Sequence, residues 1–144
     1  MTLYILDNKE KELRKQAMGH LGFALFCALF GAIYEQFSHE VYSFYMIYAF
    51  AIPLVFGTVF YLLLDWFDKK IKQPLCLSLW NMAIVTLTVG SLYRGVIDIY
   101  GTTNKKVIIY VVAAFSLGLS AIVLNAVESV KGRVRKDEDM NFFP

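Results

Sequence analysis

Glu35, towards the end of the first apolar stretch of this chain, and Arg94, towards the end of the third, are an acid and a base at similar depth in otherwise hydrophobic sequence. An unpaired arginine inside hydrocarbon costs about 2.5–3.5 kcal/mol on insertion scales. A carboxylate beside it reduces that cost and can accept two parallel hydrogen bonds from the guanidinium. The sequence therefore predicts a Glu35–Arg94 contact. Asp98, one helical turn beyond Arg94 on nearly the same face, competes for the arginine. If Asp98 wins, Glu35 pairs with His39, also about one turn away.

Tyr45 and Tyr110 reach a similar depth from the second and fourth apolar stretches. The expected outer layer is thus Glu35, Arg94, Asp98, His39, Tyr45 and Tyr110. Such a layer has two possible uses. Its ion pairs can latch the helices in order, or, with Tyr34 and Tyr42, it can line an outward-facing pocket for a small polar or cationic solute, since aromatic faces beside carboxylates hold organic cations. The single His39 with Glu35 and Glu40 is too weak a set for a metal site, so neither a metal nor a cofactor is expected.

A second polar group, His20, Tyr61, Asn81 and Asn125, falls about 6 to 12 Å to the other side of the span midpoints at the helical rise. A histidine such as His20 could serve in proton exchange, but a hydrogen-bonded packing role is the simpler expectation. Haem ligation between His20 and His39 is excluded by a separation of almost 30 Å, roughly the length of nineteen helical residues. The chain has no GxSxG, HExxH, P-loop or GxGxxG in a suitable context, so no catalytic residue is assigned and no enzymatic activity is expected.

The elements that must position these groups follow from hydropathy. With 58% hydrophobic and 18% charged residues in 144, the chain is too apolar for a soluble domain of its size. Four spans are predicted, over residues 17–37, 41–66, 74–100 and 107–127, each meeting the ~20 residues that a helix needs to cross a ~30 Å core. Their short connectors make an all-α membrane protein of four antiparallel helices, a bundle spanning residues 17–130. Lys and Arg gather before the first span (Lys9, Lys11, Arg14, Lys15), in the second connector (Lys69, Lys70, Lys72) and after the last span (Lys131, Arg133, Arg135, Lys136). By the positive-inside rule both termini are cytoplasmic, with 1–16 a cytoplasmic segment and 131–144 a disordered cytoplasmic tail. The first apolar run is too long for a signal sequence and lacks a cleavage site, so it is expected to stay as a helix.

Pro74 opens the third helix, where its missing N–H costs nothing, and Pro53 should kink the second. Cys27 and Cys76 lie too far apart along the membrane normal for a disulfide and are read as small packing residues. His20, Ala24, Cys27, Gly31 and Glu35 share one face of the first helix, and Ala114, Gly118, Ala121 and Asn125 one face of the fourth. Small residues allow close helix approach in lipid, either within one subunit or in a homo-oligomer. The absence of a large basic face argues against nucleic acid as a partner.

The functional expectation is a multi-pass protein of the cytoplasmic membrane that binds or passes a small polar or cationic solute through the outer layer. The alternative is a non-catalytic accessory, scaffold or sensor subunit that holds a membrane partner protein.

Overall fold

The computed structural model describes residues 2–37, 43–67, 74–102 and 104–141. They are helical almost throughout, with no strand among them. The long helices are α1 (Thr2–Phe37), α4 (Pro74–Ile99) and α5 (Ile108–Asn141). All three are long and apolar enough to cross a membrane, with mean hydropathies of 1.7, 1.7 and 2.6 in their most apolar windows.

The predicted second span departs from a single helix. Residues 41 and 42 lie outside the described residues, and the remainder is α2 (Phe44–Ile47), a turn over 48–50, a π-helical stretch (Pro53–Val59) and α3 (Phe60–Trp66). Pro53 explains the break. It has no N–H for the carbonyl of Ala49, which instead accepts a strained 3.4 Å bond from Ile52 N. The apolar helix from Pro53 to Trp66 is therefore a shorter element, reaching about 21 Å at the helical rise. At the other end of the chain, α5 continues unbroken to Asn141, so most of the tail expected to be disordered is helix.

Side-chain pairings fix the order and direction of the elements. Arg14 meets Asp65, and Ala17 meets Thr58, so α1 runs antiparallel to the second segment. That segment is in turn antiparallel to α4, with Tyr61 against Asn81 at one end and Ser43 against Asp98 at the other. Gly90 lies under Tyr110 and Gly118 opposite Trp80, which makes α4 and α5 antiparallel. The result is a row, α1, second segment, α4, α5, rather than a closed bundle: among the described residues the backbones of α1 and α5 do not meet, and α1 reaches α4 only through long side chains.

Both small-residue faces are used inside this row. Ala17, Ala24, Cys27 and Gly31 are buried on the side of α1 that faces the second segment, and Ala114 and Ala121 are buried towards α4. Both cysteines are free and buried, as packing residues should be. The α4–α5 connection is closed at Gly101, whose φ of +69° lets its N–H bond Asp98 O while Thr102 N bonds Ile97 O, a Schellman end that a side chain at 101 would strain. Asn104 then starts the next helix by accepting from Lys106 N at 3.0 Å.

Gly95 is the tightest backbone approach at this end. A Cβ there would lie 2.7 Å from Met46 Cβ and 3.0 Å from Met46 N. Because backbone cannot swing aside as a side-chain tip can, Gly95→Ala is expected to cost about 1–3 kcal/mol by overpacking. A denaturant titration in detergent would show it; stability within 0.5 kcal/mol of the parent, a limit of the order expected for neutral surface changes, would contradict the packing.

Candidate functional site

Two polar clusters occupy opposite ends of the row. At the end carrying both termini, Asn81 of α4 is the hub. Its Oδ1 accepts from Tyr61 Oη at 2.6 Å and from His20 Nε2 at 2.8 Å, while its Nδ2 donates to Gln16 Oε1 at 2.9 Å. An amide oxygen can only accept, so His20 carries its proton on Nε2 in this contact. The His20 and Tyr61 rings stack at 5.7 Å and 18°, and both are buried.

The π-helical stretch makes this assembly possible. Gly57 leaves space for the His20 ring, whose Cβ and Nδ1 lie 2.6 and 2.7 Å from where a Cβ at 57 would stand. Thr58 Oγ1 donates to Ala17 O at 3.3 Å, and the irregular backbone leaves Phe56 O to accept from Trp80 Nε1 at 3.0 Å. Three of the four residues expected in this group, His20, Tyr61 and Asn81, therefore meet. Asn125 does not join them: among the described residues its carbonyl accepts from Ser129 Oγ, and α5 packs on the other flank of α4. Gln16, placed by sequence in the polar leader, is the missed member. Its position one turn before His20 on the same helix face was the available signal.

At the far end, Arg94 meets Asp98, the nearer of the two acids that sequence offered it. Nε lies 3.4 Å from Asp98 Oδ1, a separation and alignment that make an ion pair without a hydrogen bond. The other carboxylate oxygen of Asp98 accepts from Ser43 Oγ at 3.3 Å. The guanidinium carbon sits 5.4 Å from the centre of the Tyr45 ring, a cation–π contact, and Ser91 Oγ donates to Tyr45 O at 2.7 Å. Glu35 is half-buried on α1. Tyr110 meets Tyr93, with ring centres 5.9 Å apart. His39 and Tyr42 lie outside the described residues.

Beside Arg94 is a cavity of about 670 Å³ between the second segment, α4 and the start of α5. Its polar wall is Arg94, Ser91, Asn104 and Lys105, and its apolar wall includes Ile52, Leu87 and Val111. No protein-family model, curated protein or solved structure matches the chain. The cavity must therefore be read from its own chemistry. Its walls bring two cations, one of them ion-paired with Asp98, the hydroxyls of Ser91 and Tyr45 and the amide of Asn104, beside an apolar surface. That arrangement can hydrogen-bond a negatively charged group and offset its charge. Among the described residues no cluster of His, Cys, Asp and Glu is arranged to hold a metal.

Proposed function

We propose that this is a multi-pass protein of the cytoplasmic membrane, crossing four times with both ends in the cytoplasm, that binds a small polar solute of negative charge in the outer cavity. The single observation that carries the reading is that Arg94 and Lys105 both line the cavity. This turns the expected preference for a cation around. Sequence weighted Glu35 and the tyrosines, whereas the cavity wall carries Arg94 and Lys105; Asp98 offsets part of the Arg94 charge, and Lys105 supplies the remainder that favours an anion. The orientation rests on the distribution of Lys and Arg, which puts the cavity on the non-cytoplasmic side. Binding is the first step of any passage across the membrane, and the chain carries it out without covalent chemistry.

A second reading, an accessory subunit holding a partner protein, draws on α5. Its 34 residues reach about 51 Å against a core of about 30 Å, so it projects well beyond the bilayer and carries Lys131, Arg133 and Arg135 on its exposed extension.

The two readings separate on one measurement. With phosphate, sulfate and small carboxylates as titrants of the purified protein, the first expects saturable binding that Arg94→Gln weakens by roughly tenfold or more, the loss of one charge-assisted hydrogen bond. An absence of saturable binding in the unmodified chain would leave the accessory reading.

A further inference from the structure

The outer cavity shares Ile52 and Leu87 with a second pocket of about 260 Å³, enclosed by the second segment, α4 and α5. That pocket is almost wholly apolar; Phe56, Trp80, Phe115 and Gly118 are among its walls. The two form one amphipathic groove, cationic at its outer end and hydrocarbon-like below. Along α4 the distance from Arg94 to Leu87 is about 10 Å and from Arg94 to Trp80 about 21 Å at the helical rise, while an acyl chain in one leaflet covers about half of a ~30 Å core. A chain starting near Arg94 thus ends within the groove.

A soluble anion would use the outer end and leave the apolar half empty. A neutral lipid would use the apolar half and gain nothing from the two cations. Arg94 and Lys105 are long side chains at the outer edge of the hydrocarbon, able to extend their charged ends to headgroup level. The groove also opens where lipids are, since Leu119 and Ile122 on its α5 edge are 63% and 57% exposed.

We propose that the groove holds an anionic phospholipid of the outer leaflet, with its phosphate between Arg94 and Lys105 and one acyl chain running past Ile52 and Leu87 towards Trp80. This rests on the reading of the outer cavity as an anion site and names the anion. Asp98, 3.4 Å from Arg94 Nε, offsets much of that residue's charge, so Lys105 carries the cationic end, while the guanidinium keeps donors beyond Nε for the phosphate.

Trp80 supplies the readout, since it lines the tail end of the groove. With Trp66, 85% exposed, replaced by phenylalanine, Trp80 is the sole indole. The protein would be placed in phosphatidylcholine vesicles containing a small fraction of phosphatidylglycerol, with bromine on the acyl chains of one lipid or the other. Brominated phosphatidylglycerol is expected to quench Trp80 as if enriched roughly fivefold or more over its mole fraction, the preference that one unneutralised cation near a membrane surface confers. The double variant Arg94→Gln, Lys105→Gln should abolish that enrichment. Gly118→Leu, which fills the apolar pocket, should reduce quenching by either lipid.

Enrichment that survives the double variant overturns the headgroup assignment, and quenching unchanged by Gly118→Leu overturns the path of the chain. Glycerol 3-phosphate, titrated calorimetrically, separates this proposal from its premise. If it binds and depends on Arg94 while phosphatidylglycerol shows no enrichment, the anion site stands and the lipid is wrong. If neither binds, both fall. Circular dichroism of each variant, with helix content equal to the parent, shows that the chain remains folded.

Discussion

Asn81→Leu is expected to destabilise the protein by about 2–5 kcal/mol, the effect of removing an amide that makes three interhelical hydrogen bonds, each worth roughly 0.6–1.7 kcal/mol within a membrane. Leucine has a similar volume and favours lipid, so the loss would come from stranding His20, Tyr61 and Gln16 rather than from an emptied space. Tyr61→Phe removes one of those bonds and should cost about 1 kcal/mol. Titrated denaturation in mixed micelles would rank the two variants. Equal stabilities for Asn81→Leu and Tyr61→Phe would mean that Asn81 is not the hub.

Gly57→Ala is the second large effect. The added methyl would be driven into the ring of His20, with Cβ and Nδ1 at 2.6 and 2.7 Å. The ring cannot retreat freely, because Tyr61 stacks on it and Asn81 holds its Nε2. Either α1 moves away from the second segment or His20 leaves the cluster, and overpacking of this kind costs about 1–3 kcal/mol. The change should also be visible locally, as loss of the His20 ring's restricted environment in NMR. Combining it with His20→Ala tests the mechanism: with the ring gone but the Cβ still 2.6 Å from the added methyl, the Gly57→Ala penalty should shrink without vanishing, whereas a penalty of the same size in that background would place the clash outside the ring.

The architecture was legible where a single physical signal dominated. Long apolar runs marked three membrane-length helices, of which α4 keeps its expected bounds while α1 (Thr2–Phe37) begins well before its expected span and α5 (Ile108–Asn141) ends well after it, and the small-residue faces of α1 and α5 indicated which sides would pack. Pro53 announced a break in the second segment, though not its form: a proline removes one N–H, but whether the chain answers with a kink or a wide turn depends on neighbours such as Trp80, which takes up the carbonyl of Phe56. Depth along each helix grouped His20, Tyr61 and Asn81 correctly. Asn125, expected at the same depth, does not touch them, because depth says nothing about which flank of a row a helix occupies. Arg94 shows the same limit. Two acids lay at suitable depth, and the local one, a turn away on its own helix, meets it without requiring any particular helix order. The cavity involving Lys105 was not legible, since it is built from a connector residue whose direction is set by the turn at Gly101 and the cap at Asn104.

The wide turn in the second segment has a consequence for how its two ends relate. In an α-helix each residue advances about 100°, so the faces presented by Tyr45 and by Tyr61 would be rigidly tied by the number of residues between them. A π-helical stretch accommodates an extra residue and breaks that tie. Met46 and Tyr45 can then face α4 at the Arg94 end while Thr58 and Tyr61 address α1 and Asn81 at the other. The segment acts as a phase shifter between two otherwise independent clusters, and deleting a single residue within 53–59 would rotate one of them out of reach while leaving hydrophobicity and span length almost untouched.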